Sequence, residues 1–156
     1  MSRRPIIILA FAITSLLLLC ACAVALLLWR QGRPSGPSAS LRIDAGRSTL
    51  QVGDQLWVEV VLLNSGSIDL GLPQYRLYVD PEEEQPILQP QRPEPVVHYL
   101  GVIPGQSDVA EFLLQAVRPG QVALRASVSF EVHLGDPGPA YWGGAGAAPV
   151  RVVVAP

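Results

Sequence analysis

Val122-Ala123-Leu124-Arg125-Ala126-Ser127-Val128-Ser129-Phe130-Glu131-Val132-His133-Leu134 is the stretch whose reading decides the fold. Val122, Leu124, Ala126, Val128, Phe130, Val132 and Leu134 alternate with Ala123, Arg125, Ser127, Ser129, Glu131 and His133. Successive side chains of a strand point to opposite faces, so a sustained period of two describes one buried and one wetted face. No part of the chain beyond residue 40 shows a persuasive helical period.

Working outward, the same alternation returns. Leu56 to Asn64 sets Leu56, Val58, Val60 and Leu62 inward, although Trp57, Val61 and Leu63 leave its other face apolar enough to expect partial cover. Gln74 to Val79 buries Tyr75, Leu77 and Val79; Val109 to Val117 buries Ala110, Phe112, Leu114 and Ala116; Val150 to Val154 closes the series. Val52-Gly53-Asp54, Asn64-Ser65-Gly66, Ile103-Pro104-Gly105-Gln106 and Arg118-Pro119-Gly120-Gln121 place Gly or Pro where the chain must reverse. Adding Leu41 to Ile43 with Thr49 to Gln51 as a split first strand, and Val96 to Leu100 as a fourth, gives seven strands. That count predicts an all-β, immunoglobulin-like Greek-key sandwich over residues 41–156.

Three of these features carry a family resemblance. Val52-Gly53-Asp54, the strand Val58-Glu59-Val60-Val61-Leu62-Leu63 ending in Asn64-Ser65-Gly66, and Ile103-Pro104-Gly105-Gln106-Ser107 resemble the Gly-acidic turn, second strand and Pro-Gly turn of bacterial immunoglobulin-like modules of the cell-adhesion-related (CARDB) and conserved-repeat type. The resemblance spans Leu41 to Pro156. It departs from the family in the acidic, proline-rich connection Asp80 to Pro95 and in the glycine-rich last loop. It implies an exported binding or spacer module with no catalytic residues to carry over.

Upstream, a short tail (residues 1–5) leads into an uncharged apolar run from Ile6 to Trp29, interrupted only by Thr14 and Ser15. As a helix it would span about 36 Å, more than the roughly 30 Å hydrocarbon core. This predicts one transmembrane helix over residues 6–29, a signal anchor, followed by a linker over residues 30–40 rich in Gly, Pro, Ser and Arg. Two other readings stay open. Ala21-Cys22-Ala23 and Ala23-Val24-Ala25 have the small-x-small form of a cleavage site, and Leu19-Cys20-Ala21-Cys22 loosely resembles a lipobox with Cys22 as the lipidated residue. The run continues for seven residues past Cys22, where a processed chain should turn polar. Arg3 and Arg4 are balanced by Arg30 and Arg33, so charge barely fixes orientation. A cytoplasmic N-terminus is expected because all-β modules of this kind are typically exported.

Composition excludes several functions. All eleven basic residues are Arg, so there is no phosphate-loop lysine and no Schiff-base lysine. Residues 41–156 hold seven Arg against thirteen acidic side chains, a net charge of −6, which argues against nucleic acid. Both cysteines lie in the apolar run, so the remainder has neither a disulfide framework nor a thiol nucleophile. No Gly-x-Ser-x-Gly elbow occurs. His98 and His133 read as exposed-face histidines without a second ligand in register. Glu82-Glu83-Glu84 after Asp80-Pro81 lacks the spacing of a calcium loop and reads as a solvated acidic turn. No cofactor and no metal are expected.

The candidate binding residues are Tyr141 and Trp142, in a long loop read from Gly135 to Ala148, since paired aromatics on loops are frequent recognition sites. The competing reading folds one ring back to plug the sandwich. In a seven-strand sandwich the incoming chain, the second-to-third-strand loop and the last loop share one end. Tyr141 and Trp142 are therefore expected beside the membrane, with the acidic loop pointing away.

These readings predict a single-pass, membrane-anchored extracytoplasmic module with an adhesion, binding or structural role and a protein or glycan partner. The alternatives are an accessory subunit of a membrane complex, a processed lipoprotein, and a secreted binding protein.

Overall fold

Residues 120–133 form the longest strand among the described residues, and the rest of the sandwich is arranged around it. The computed structural model describes residues 18–24, 36–80, 86–92, 95–133 and 140–156. It divides into two units, Met1–Pro34 and Ser35–Pro156.

The strands are β1 (Ala39–Ala45), β2 (Thr49–Gln51), β3 (Gln55–Asn64), β4 (Leu70–Asp80), β5 (Leu88–Pro90), β6 (Val96–Val97), β7 (Ser107–Ala116), β8 (Gly120–His133), β9 (Ala140–Gly146) and β10 (Val150–Ala155). One sheet runs β1-β3-β7-β5. The other runs β2-β10-β8-β4-β6, with β9 also paired to β8. The split first strand is real: β1 pairs antiparallel with β3 in one sheet, while β2 pairs parallel with β10 in the other.

Alternation sets the core. Leu56, Val58, Val60 and Leu62 of β3 and Ala110, Phe112 and Leu114 of β7 face Tyr75 and Leu77 of β4 and the even-numbered residues 122–132 of β8, all buried. Each large apolar side chain so buried contributes about 1.5–3 kcal/mol. The expected inward residues of these four strands are buried, except that Val79 is half-buried and Leu134 lies outside the described residues.

Three boundaries differ from expectation, and ten strands stand among the described residues where seven were expected. The stretch read as one loop, Gly135 to Ala148, holds β9. Because β10 pairs only with residues 120–124 of β8, the ladder positions at 127–133 are left for β9. Its glycines permit the close approach: a Cβ on Gly143 would lie 2.6 Å from the Phe130 ring. The connection Asp80 to Pro95 holds β5, which lengthens the sheet beside β7 and buries Ile87 and Leu88. The strand expected over Val96 to Leu100 stops at Val97, because β4 carries a bulge between Gly71 and Gln74, with Leu72 at φ 43°, and the straight ladder ends there. The acidic residues Glu82 to Glu84 lie outside the described residues.

Two of the family-like motifs are structural knots. Asn64 is fully buried; its Nδ2 donates to the carbonyls of Ile68 (2.8 Å) and Val102 (2.7 Å), and its Oδ1 accepts from the Gly66 N–H (3.0 Å). Its backbone also bonds the Ile103–Gln106 turn at both N–H and carbonyl. At the other end Gly53, at φ 96°, donates to the Ala116 carbonyl while the Asp54 side chain accepts from the Gln51 N–H.

Of the expected membrane span, only residues 18–24 are described; they are helical, and Cys20 and Cys22 are free, exposed thiols. Among the described residues no helix is long and apolar enough to cross a membrane. The rest of residues 6–29 lies outside them.

Candidate functional site

Inward positions at strand ends are where polar side chains can meet between sheets. Tyr75 points inward from β4 and is fully buried; Asp108, one residue into β7, shares the inward side with Ala110 and Phe112. The Tyr75 hydroxyl donates to Asp108 Oδ2 at 2.7 Å. His98 Nδ1 lies 2.6 Å from the same oxygen, and the His98 and Tyr75 rings sit 5.3 Å apart at 58°. The His98 N–H donates to the Pro73 carbonyl on the bulged stretch of β4, so the bulge fixes where the imidazole starts.

Burial, then the hydrogen bond to Asp108 and its negative charge, holds the Tyr75 hydroxyl protonated well above the usual phenol range. It therefore acts as a fixed donor that joins the two sheets.

Beside the trio is an open groove of about 400 Å³ lined by Arg92, Val96, His98, Val109 and Glu111. Arg92 is itself placed: its guanidinium lies 5.6 Å from the centre of the Trp57 ring, a cation–π contact that covers part of the outer apolar face of β3. Along this side β5 pairs only with residues 114–116 of β7, and among the described residues no strand pairs with 107–112 there. The groove thus joins an open strand edge to a cation, a carboxylate, an imidazole and two valines. A His–Asp pair can activate a hydroxyl or thiol, but among the described residues no Ser, Thr or Cys lines this groove. Among the described residues no group of three His, Cys, Asp or Glu could hold a metal ion.

The sequence-predicted binding residues lie elsewhere. Tyr141 and Trp142 begin β9, opposite Val132 and Glu131, and as neighbours in a strand they point to opposite faces; they are 38% and 55% exposed. They do not form a joint aromatic surface. His133 fits the exposed reading, 3.5 Å from Glu131 of its own strand. His98 does not: it is partnered and only 31% exposed at its side chain. The signal for the trio was present as two inward positions holding a hydroxyl and a carboxylate, which must find partners once buried. What no single strand pattern could supply was the crossing that brings His98 to them.

Comparison with known proteins agrees with this architecture. The chain resembles the CARDB domain of the PF1109 protein from Pyrococcus furiosus, whose crystal structure is a complex with di-metal ions, at 17% identity and TM-score 0.53, over 78% of this chain and 91% of that one. The solution structure of the same domain gives 17% identity and TM-score 0.51, over 77% and 96%. A part of native alpha-2-macroglobulin from Escherichia coli is similar at 11% identity and TM-score 0.52, over 80% of this chain but 17% of that chain. No family model and no curated protein matches the sequence. The fold is CARDB-like and immunoglobulin-like.

Proposed function

We propose that the chain is a non-catalytic, membrane-anchored binding module, held by residues 6–29 with its sandwich on the extracytoplasmic side, and that its partner is a protein or glycan. The observation that carries the binding role is the groove at the open edge of β7, where Arg92 is positioned by Trp57 and His98 by Asp108. An open edge beside shaped side chains suits an extended segment that adds a strand and seats alternate side chains. Support for the anchor is the 24-residue apolar run, long enough to cross a bilayer.

Resistance of membrane association to alkaline carbonate, together with protease digestion of the sandwich on intact spheroplasts, is the expected behaviour. Extraction by carbonate, or protection of the sandwich, rejects the placement. For the groove, the full chain is screened against exported proteins and glycans beside the double variant Arg92→Glu with Glu111→Arg. Binding that survives the charge exchange removes the groove from the reading.

A further inference from the structure

The incoming chain is fixed to one end of the sandwich. The Gly36 N–H donates to Ser67 Oγ and the Ser67 N–H donates to the Gly36 carbonyl, both at 3.1 Å. The N–H groups of Ser65 and Gly66 converge on the Ser38 carbonyl at 2.9 and 3.0 Å. That end is also where Leu70 pairs with Val102 and Val132, and Val132 with Tyr141.

Apolar side chains without cover gather there. Tyr99 and Leu100 are each 84% exposed, more than any other large apolar side chain of the sandwich. They lie beside residues 70–73, between the His98 bond to Pro73 and the Val102 pairing with Leu70. Ile103 opens the turn bonded to Asn64 and is exposed. Trp142 stands opposite Glu131, which stands opposite Gly71, so it occupies the same level about 14 Å away across three strand spacings. Adjacent large apolar side chains so exposed mark an interaction surface.

We propose that this end is a lipid-contacting collar, in which Tyr99, Leu100, Ile103 and Trp142 seat in the headgroup region of the bilayer that holds residues 6–29. The proposal rests on the membrane-anchored reading above. Chain length supplies the occupant: from Trp29 to Gly36 seven residue steps reach at most about 25 Å, so the end of the sandwich stays within that distance of the apolar run. Tyr and Trp favour the membrane interface, and Arg30 and Arg33 in the tether suit lipid phosphates.

The test uses the full chain with Cys20→Ser and Cys22→Ser, reconstituted in phosphatidylcholine and phosphatidylglycerol liposomes. A nitroxide is attached at Leu100→Cys or, at the opposite end, at Val52→Cys, both solvent-facing positions. The expected result is severalfold lower collision with a water-soluble nickel chelate at position 100 than at position 52, and higher collision with oxygen. Equal nickel collision at the two positions, in liposomes that keep the protein through an alkaline wash, overturns the collar and leaves the anchor standing. Loss of the protein in that wash overturns the anchor and the collar with it. Protection of position 100 in native membranes but not in pure lipid also overturns the collar, in favour of a membrane-protein partner.

Discussion

The Tyr75 hydroxyl and the Asp108 carboxylate meet at 2.7 Å between the two sheets, and the carboxylate oxygen that accepts this bond is the one His98 touches. Tyr75→Phe removes one donor and leaves the His98 bond in place. The expected loss is about 2 kcal/mol, the usual value of a hydrogen bond to a charged group. Asp108→Ala is expected to cost more, because it strands the buried hydroxyl as well. Urea unfolding of both variants checks the order; equal stability of Tyr75→Phe and the parent would mean the bond adds nothing.

The same hydroxyl makes stability depend on alkaline pH. Its proton is held more tightly in the folded than in the unfolded chain, so the unfolded state gives it up first. The contribution is therefore complete below the ordinary phenol pKa of about 10 and declines as pH rises above it. Phenolate absorbance at 295 nm, compared between the parent and Tyr75→Phe, should differ only at the pH where the sandwich unfolds. A difference appearing while the far-ultraviolet circular dichroism is still native would contradict this.

Asn64→Ala empties a buried amide that satisfies two carbonyls and one N–H. An expected cost of about 3 kcal/mol follows from leaving those groups unpaired. Asn64→Asp keeps the shape and the acceptor but has no N–H to offer Ile68 and Val102, so it should rescue little. Thermal melts of the pair distinguish lost bonding from lost volume.

Gly66→Ala would place a methyl 2.4 Å from the Gly36 carbonyl oxygen and 2.6 Å from the Ser38 nitrogen. Both are backbone atoms, so the incoming segment must move. The expected outcome is faster hydrogen exchange at Ser65, Gly66 and Ser67, whose N–H groups bond that segment, with a stability loss of about 1–3 kcal/mol. Unchanged exchange at these amides would show that the segment is held by something else.

Gly143→Ala meets the Phe130 ring at 2.6 Å and should loosen β9 from β8. Amides of β8 that bond β9 are expected to lose protection while those facing β4 keep theirs. Exchange measured residue by residue decides it.

Where one face of a strand packs and the other is wet, the sequence declares it, which is why β3, β7 and β8 could be read with their inward residues. β9 could not. Its pairing depends on what β10 leaves free along β8, and its glycines look like a loop until the Phe130 ring is seen filling the space a side chain would take. The groove was hidden for a related reason. Residues 92 and 98 belong to a crossing with no period, while their anchors, Trp57 and Asp108, sit on strands read for other purposes. Asn64 was legible as a motif, but its bonds to Ile68 and Val102 belong to the fold.

The antiparallel pairing of β1 with β3 runs through seven registered positions, from Ala39 opposite Asn64 to Ala45 opposite Val58. The chain enters β1 at the Ala39 end, so a pull on the segment before it acts along the strand axis and shears the ladder. All seven rungs then share the force, whereas a pull across the strands would open them one after another. A sandwich pulled through its first strand in this geometry resists opening better than one pulled across its strands.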